Sequence, residues 1–547
     1  MRRGRFQEGG EEKKTGSSES VWYRTDWTQP FAASCNTVDA AVMVRAGGLR
    51  GRLRHLCCVR ALLLVSWSAL CMLWVPRMRA PPAARPSPST PAAAAADLSQ
   101  PYADTERQLP SLPLAYFYKR RNDTNKFYKT KDCAPLPSVF ELEYCSTYWQ
   151  TLRSSRGVFH LYGAYLDIRS ASQIGPAVRL LVVHDRLEPG KAHCQLWFEE
   201  RPGPIVVRVL QYTYVWRRDW GNNVDGMLQP YLLACALPAD VRALRPAAVS
   251  LVEKPCDRAT NCLRVHFDEP PDRAQKEFAV CVKGLDFQHE DLSVRLVEWI
   301  ELVRLLGADK VFFYELQVHP NISKVLAYYR ARGIVESTPI TLPGGQPNLP
   351  GLQHVYLKKR FRNKRHMELV PYNDCLYRHM YQYRWITLLD IDEVIVPMED
   401  PDWSSLLKRQ PPHITYYAQN IYYLDEPASR KPGAPRYMYM LQHVHRAPNF
   451  SMLYWNVKAF HETGRVLAVH NHYPLACLAG ACSQHAMSTA QVRLHHYRAN
   501  CDACAERGLS EEMRLSPVRD ATLWRWAGRL VPRVKRALAA LALLPPE

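Results

Sequence analysis

The stretch that decides the fold reads Trp385-Ile-Thr-Leu-Leu-Asp390-Ile-Asp392-Glu393-Val-Ile-Val-Pro397. A hydrophobic run breaks at two aspartates one residue apart and then resumes. In a strand, residues i and i+2 share a face, so Asp390 and Asp392 are expected to present two carboxylates side by side at the end of a buried strand. In an open α/β sheet, ligands bind beyond the carboxyl ends of the strands. Paired carboxylates there suit a hard divalent cation that also holds the phosphates of a nucleotide diphosphate. The bland alternative is an acidic strand-to-turn junction, and only the surrounding pattern separates the two.

Upstream, Glu277-Phe-Ala-Val-Cys-Val-Lys283 reads as a strand. Leu292, Leu296, Ile300, Val303 and Leu306 then recur at helical spacing, with Gly307 as terminator. A strand over 310–314, a helix over 322–332 closed by Gly333, a strand over 334–340 and a long basic helix over 357–383 follow. Strands alternating with helices imply a Rossmann-like, mostly parallel α/β sheet with helices on both faces. The aspartate pair falls at the end of its fourth strand, where a GT-A glycosyltransferase keeps its metal-binding motif. Neither Gly-x-Gly-x-x-Gly nor Gly-x-x-x-x-Gly-Lys-Ser/Thr occurs, so dinucleotide and P-loop readings have no support. Ahead of this region, short strands over 158–168, 177–184, 205–214 and 249–253, punctuated by Pro and Gly, predict a small β-rich domain.

The rest of the chain speaks to location. Residues 56–75 form an apolar run whose one interior charge is Arg60. As a helix at ~1.5 Å per residue it would be about 30 Å long, enough to cross a bilayer core. Arg45, Arg50, Arg52 and Arg54 precede it, against Arg77, Arg79 and Arg85 beyond. This bias predicts a single-pass type II anchor with the C-terminal bulk in the lumen. A cleaved signal peptide is disfavoured, because the preceding region is too long if synthesis starts at Met1; a start at Met43 would leave a short basic tail. Cys57 and Cys58 sit at the cytosolic boundary, as palmitoylation sites or as apolar filler. Pro- and Ala-rich residues 76–112 read as an extended stem. Sequons at Asn122, Asn321 and Asn449 all lie on the lumenal side. Twelve of the sixteen cysteines lie beyond residue 130, an even number in an oxidising compartment. Cys477 and Cys482, and Cys501 and Cys504, have histidines nearby, but their spacing and compartment favour disulfides over zinc. The net charge of +19 gathers largely in Arg-rich flanks, and no nucleic-acid signature accompanies it. The expected layout is a cytosolic tail over 1–55, an anchor over 56–75, a stem over 76–130, a β-rich domain over 131–275, a catalytic domain over 276–510 and a helical tail over 511–547.

Several motifs in this layout resemble glycosyltransferase family 92. They are Cys281-Val-Lys283, Tyr372-Asn373-Asp374-Cys375-Leu-Tyr-Arg378, Leu389-Asp-Ile-Asp-Glu393, Lys458, Val469-His470 and His496-Tyr497-Arg498. The similarity covers about residues 155–500 and is strongest to the avian-type β-1,4-galactosyltransferase branch; the segment 477–504 and the extension before Met43 have no counterpart. The resemblance implies a GT-A-like fold and inverting transfer of galactose from UDP-galactose to galactose-terminated N-glycans on glycoproteins, with β-1,4 linkage, in the Golgi membrane. Mn²⁺ or Mg²⁺ would neutralise charge building on the leaving diphosphate.

Asp390 and Asp392 are then expected as metal or ribose ligands. His470 or His496 would add a nitrogen ligand, His470 being placed first, or each is a hydrogen-bonded structural residue. Lys458 and Arg498 are candidates for pairing with the diphosphate, or are simply solvated. Asp374 and Arg378, one helical turn apart, pair with each other or touch the nucleotide. Lys283 follows the strand where the base would sit. Inversion needs a general base, for which Glu462 and Glu426 are candidates. Glu393 is read as structural. A metal-dependent nucleotide-diphosphate hydrolase and a non-catalytic lumenal glycan-binding protein are the competing readings. Acceptor, linkage and oligomeric state are not legible.

Overall fold

The computed structural model describes residues 99–120, 133, 135–220, 223–270, 272, 274–425, 430–498 and 516–545. The expected anchor, Cys57, Cys58, Asn122, Glu426, Cys501 and Cys504 lie outside the described residues. Among the described residues no helix is long and apolar enough to cross a membrane. Ala95–Glu547 form one compact unit of mixed α/β structure.

Its first part is a ten-stranded sheet that runs from Tyr144–Ser146 to Leu263–His266. The two central strands, Gly157–Asp167 and Ala177–His184, are antiparallel and are buried along nearly their whole length. The single strand expected over 205–214 is two strands, Ile205–Arg208 and Gln211–Tyr214, at opposite edges of the sheet. Between them Val209 N–H donates to Ala192 O at 3.0 Å and Leu210 N–H to Ala234 O at 2.8 Å. Two residues therefore bridge both edges, so the sheet curls upon itself.

The second sheet is ordered Val335–Pro339, Lys310–Val318, Lys276–Phe287, Tyr383–Leu388, Lys458–Glu462, Thr415–Ala418 and Gln484–Ala486. The first four strands are parallel, as the alternation of strand and helix requires. Lys458–Glu462 is antiparallel to Tyr383–Leu388, and Thr415–Ala418 is antiparallel to it in turn, so the sheet is mixed beyond its parallel half. Along Lys276–Phe287 alternate residues serve two cores. Phe278, Val280 and Val282 pack against the helix Ser293–Leu305, while Ala279 and Cys281 face Tyr162, Tyr165, Leu181 and the helix Leu369–His379. That helix is thus held between the two sheets, and the Cys281–Cys375 disulfide fastens it to the strand.

The long basic helix expected over 357–383 is three, Leu352–Lys359, Phe361–Met367 and Leu369–His379. The first break falls at Arg360, whose φ of −102° and ψ of 59° leave the helical region within a run of like charges that disfavours continuation. Disulfides Cys133–Cys256, Cys194–Cys235 and Cys477–Cys482 complete the described set, in line with the disulfide reading of the last pair.

One expectation needs correction at the deciding stretch. The strand ends at Leu388 and the next, Glu393–Pro397, belongs to a separate three-stranded sheet with Val492–Arg498 and Asn420–Leu424. Asp390, Ile391 and Asp392 form the turn between them, closed by Glu393 N–H to Asp390 O at 3.0 Å. Strand alternation does not order the carboxylates. The hydrophobic run breaks because the chain changes sheets there.

Candidate functional site

A cavity of about 460 Å³ opens at the carboxyl ends of the parallel strands. The Asp390–Asp392 turn lines it, along with Lys283, Gly284 and Leu285 from the strand Lys276–Phe287, and Arg498 at the end of the strand Val492–Arg498. Trp149 of the curled sheet closes one wall, its indole N–H donating to Thr341 O at 2.7 Å. Both sheets therefore contribute to one site.

The two aspartates differ in what surrounds them. Asp390 Oδ1 lies 3.1 Å from Lys283 Nζ and its Oδ2 lies 3.5 Å from Lys458 Nζ. Burial alone would raise the Asp390 carboxyl, but the two ammonium groups outweigh it and hold it well below the usual carboxylate range. Lys283 also reaches Glu368 Oε1 at 3.4 Å, and these carboxylates raise its ammonium against the effect of burial. Asp390 is thus a charge already neutralised, suited to orienting a hydroxyl. Asp392 is 42% exposed and pairs with His496 Nε2 at 3.4 Å. Burial opposes its charge, but His496 beside it lowers the carboxyl. Of the two it is the one turned outward.

His496 is held from behind. Its Nδ1 sits 3.3 Å from Glu393 Oε1 and 3.2 Å from Asn420 Oδ1. Burial disfavours the imidazolium, yet Glu393 and Asp392 together raise it. Lys458, with no exposed side-chain surface, donates to Asn471 Oδ1 at 2.6 Å and pairs with Glu393 Oε2 at 3.0 Å. Glu393 Oε2 in turn accepts from Asp390 N–H at 3.3 Å. Glu393 and Lys458 form a buried floor beneath the aspartate turn, and Glu393 also lines the cavity.

The helix that carries Asn373-Asp374-Cys375 supports this floor from the side. Asn373 exchanges hydrogen bonds with Val469, donating to its carbonyl at 2.9 Å and accepting from its N–H at 3.0 Å. That clamp sets the loop in which Asn471 and His472 reach the cavity. Tyr372 O–H donates to the same Asn471 Oδ1 at 3.1 Å. Asp374 takes hydrogen bonds from Tyr165 and, at 2.6 Å, from Tyr314 O–H, and pairs with Arg378 Nε at 2.8 Å. Neither Asp374 nor Arg378 lines the cavity. The structure realises the pairing alternative for these two residues, and their contacts fasten helix to sheets.

The remaining candidates separate cleanly. His496 stands beside the aspartates, whereas His470 lies in an aromatic box. Its ring is 4.7 Å from Trp220, 5.2 Å from Trp216 and 5.8 Å from Tyr473, and burial pushes its imidazole far below the ordinary value. Of the two, His496 lines the cavity and His470 does not. Lys458 lies under the cavity rather than in it, while Arg498 lines it. Glu462 sits opposite Trp385 in an antiparallel ladder whose other end, Lys458, meets Asp390. Four residues at ~3.3 Å each carry it about 13 Å away from the turn. Glu462→Gln is therefore expected to leave turnover within about twofold of wild type, and a loss of orders of magnitude in a steady-state assay would overturn this placement.

Sequence reasoning missed Arg365, Glu368, Asp286 and Glu290, all of which line the cavity. Arg365 and Glu368 lay in what reads as one continuous basic helix, whose spacing alone does not say which of its charges face a cavity. Asp286 and Glu290 follow Lys283 closely, so proximity to the first strand was an available signal. Asp286 is engaged by His354 at 3.1 Å and Gln317 at 2.7 Å, and Glu290 is exposed.

Among the described residues no group of three or more His, Cys, Asp or Glu side chains forms a ready-made metal cage. A cation delivered with a diphosphate needs only one or two protein ligands and keeps its other positions for phosphate and water. The outward Asp392 carboxylate could hold such a cation, with His496 Nε2 3.4 Å away able to join it only in its neutral form.

Residues 276–528 match the family model described as Glycosyltransferase family 92. Over these residues the chain is similar to that family. The match begins at the first residue of the central parallel strand and runs beyond 510 into the helix Ala527–Ala540, whose Leu530, Val534 and Leu538 pack in the same core as the helix Ser293–Leu305. Beta-1,4-galactosyltransferase galt-1 of Caenorhabditis elegans is 24% identical over 194 residues, covering 33% of this chain. The chain spans about two fifths of that relative's length, the matched share being 40%. The matched region contains the central parallel strands, and both sheets meet at the cavity.

Proposed function

We propose that the domain transfers galactose from UDP-galactose to a galactose-terminated N-glycan with inversion, forming a β-1,4 linkage, from a Golgi membrane and on the lumenal side. One observation carries the reading. An outward carboxylate–imidazole pair, Asp392 and His496, stands beside a second carboxylate already neutralised by two lysines, in a cavity that also presents Arg365 and Arg498. Such a site offers one anchor for a diphosphate-bound cation, one orienting group and cations for phosphate oxygens, as a GT-A-like donor site needs.

Mn²⁺ or Mg²⁺ held by Asp392 and His496 would offset the charge on the departing diphosphate. The chain's own groups divide the remaining work. Asp390, fixed by Lys283 and Lys458, orients a sugar or ribose hydroxyl. Arg365 and Arg498 face the diphosphate. Glu290, exposed at the cavity wall, is placed to accept the acceptor hydroxyl's proton. The name of the Caenorhabditis elegans relative supports galactose as the donor sugar and β-1,4 as the linkage. Sequons at Asn321 and Asn449 and the disulfides agree with a lumenal site.

The test is a donor panel offered to the full-length protein with a galactose-terminated N-glycan, the product's anomeric configuration being read by NMR. UDP-galactose is expected to be preferred and the new linkage to be β. Preference for another nucleotide sugar would overturn the donor assignment, and an α-linked product would remove both inversion and the need for a base.

A further inference from the structure

Four consecutive large apolar residues stand exposed beside the donor cavity. Met452 is 68%, Leu453 47%, Tyr454 43% and Trp455 54% exposed. Water does not favour such a run, and contiguous apolar surface of this kind marks an interaction site. The backbone there is also unusual. Tyr454 has φ of 67° and Asn456 has φ of 53°, so two non-glycine residues in the left-handed region flank Trp455. Strain of this type persists only where surroundings enforce it, and it gathers at ligand sites.

The enforcing contacts are specific. Trp455 N–H donates to Met452 O at 2.9 Å, closing a tight turn. Tyr473 O–H donates to Tyr454 O, and the Tyr454 ring meets Tyr417 with centroids 5.5 Å apart. Asn456 Nδ2 donates to Tyr422 O–H at 3.2 Å, and both residues line the cavity. Three residues past Trp455 comes Lys458, bonded into the floor under Asp390. Three residues of extended chain reach about 10 Å, so the exposed indole is tethered to the aspartate turn at a span of one or two sugar rings.

We propose that this loop is the acceptor platform, with Trp455 stacking on the apolar face of a galactose-type ring of the acceptor glycan. The idea rests on the glycosyltransferase reading of the adjoining cavity. A pyranose ring presents one face of C–H groups, and an aromatic face is negative and apolar, so the two stack while hydroxyls remain at the edge. Trp supplies large rigid area at little conformational cost, which suits an anchor. Asn456 and Tyr422 sit where hydroxyls of the same sugar would enter the cavity.

Detergent-solubilised full-length protein and Trp455→Ala are compared in two assays. Saturation-transfer NMR with a soluble galactose-terminated N-glycan reads acceptor binding without turnover, and steady-state kinetics give acceptor and donor KM separately. Trp455→Ala is expected to weaken glycan binding and raise acceptor KM about tenfold or more, with donor KM and acceptor-independent UDP release unchanged. Trp455→Phe should restore most of the affinity, which a merely structural role would not require. Unchanged glycan binding in Trp455→Ala, absence of glycan binding by the wild type, or an equal loss of donor affinity would each overturn the platform. Covering of the indole by the chain's own sugar at Asn449 would also overturn it, and would show as tighter glycan binding in Asn449→Gln. Trp455-dependent glycan binding without turnover of any nucleotide sugar would instead sink the catalytic reading and leave the platform standing.

Discussion

Asp392→Asn is expected to lower turnover by about 10²–10³-fold while the melting temperature stays within a few degrees of wild type. The exchange is nearly isosteric, and the side chain is 42% exposed, so little packing changes. What changes is charge. Asp392 is the more exposed of the two carboxylates that line the cavity, and its amide would keep the shape of the site while losing the attraction for a cation and for His496. Thermal unfolding and steady-state kinetics on the same sample make the comparison. Near wild-type turnover would remove Asp392 from the machinery, and a collapse of stability would show that its role is structural.

Lys458→Ala is expected to act in the opposite sense, on stability first. The ammonium has no exposed surface and stands between Asp390 and Glu393 at 3.5 Å and 3.0 Å. Its removal leaves two carboxylates facing each other and Asn471 Oδ1 with Tyr372 alone as donor, and breaking a buried ion pair by deleting one partner costs about 3–5 kcal/mol. The urea midpoint should fall accordingly, and activity should fall with it because the aspartate turn loses its floor. If stability held while donor KM alone rose, Lys458 would be the diphosphate contact that the family resemblance implies.

Sequence reading succeeded for some of these elements and stopped at others. The alternation of strand and helix from Lys276 onward was legible because helical and strand periods differ, and four parallel strands follow from it. The antiparallel strands beyond them were not, since Thr415–Ala418 and Lys458–Glu462 are short buried runs without periodicity. The break in the pattern at Asp390 and Asp392 has a different cause from the one expected. The break marks a turn between two sheets, which no single-strand argument contains. Asn373, Asp374 and Cys375 made the resemblance specific, yet each is spent on fastening a helix between sheets. None of the three lines the cavity, although the motif lies beside it. The roles of His470 and His496 turned on packing partners distant in sequence, Trp216 and Trp220 for one and Asn420 for the other. Spacing along the chain carries no record of such contacts.

The central claim is that the cavity at the Asp390–Asp392 turn passes a sugar from a nucleotide diphosphate to a second sugar. UDP release by the full-length protein, measured with UDP-galactose and a divalent cation against rising concentrations of a galactose-terminated glycan, tests it most directly. Release is expected to rise with acceptor and to saturate, and Asp392→Asn is expected to abolish the rise. A rate of UDP release that stays flat across acceptor concentration would contradict it, because the same carboxylates would then be serving a hydrolase.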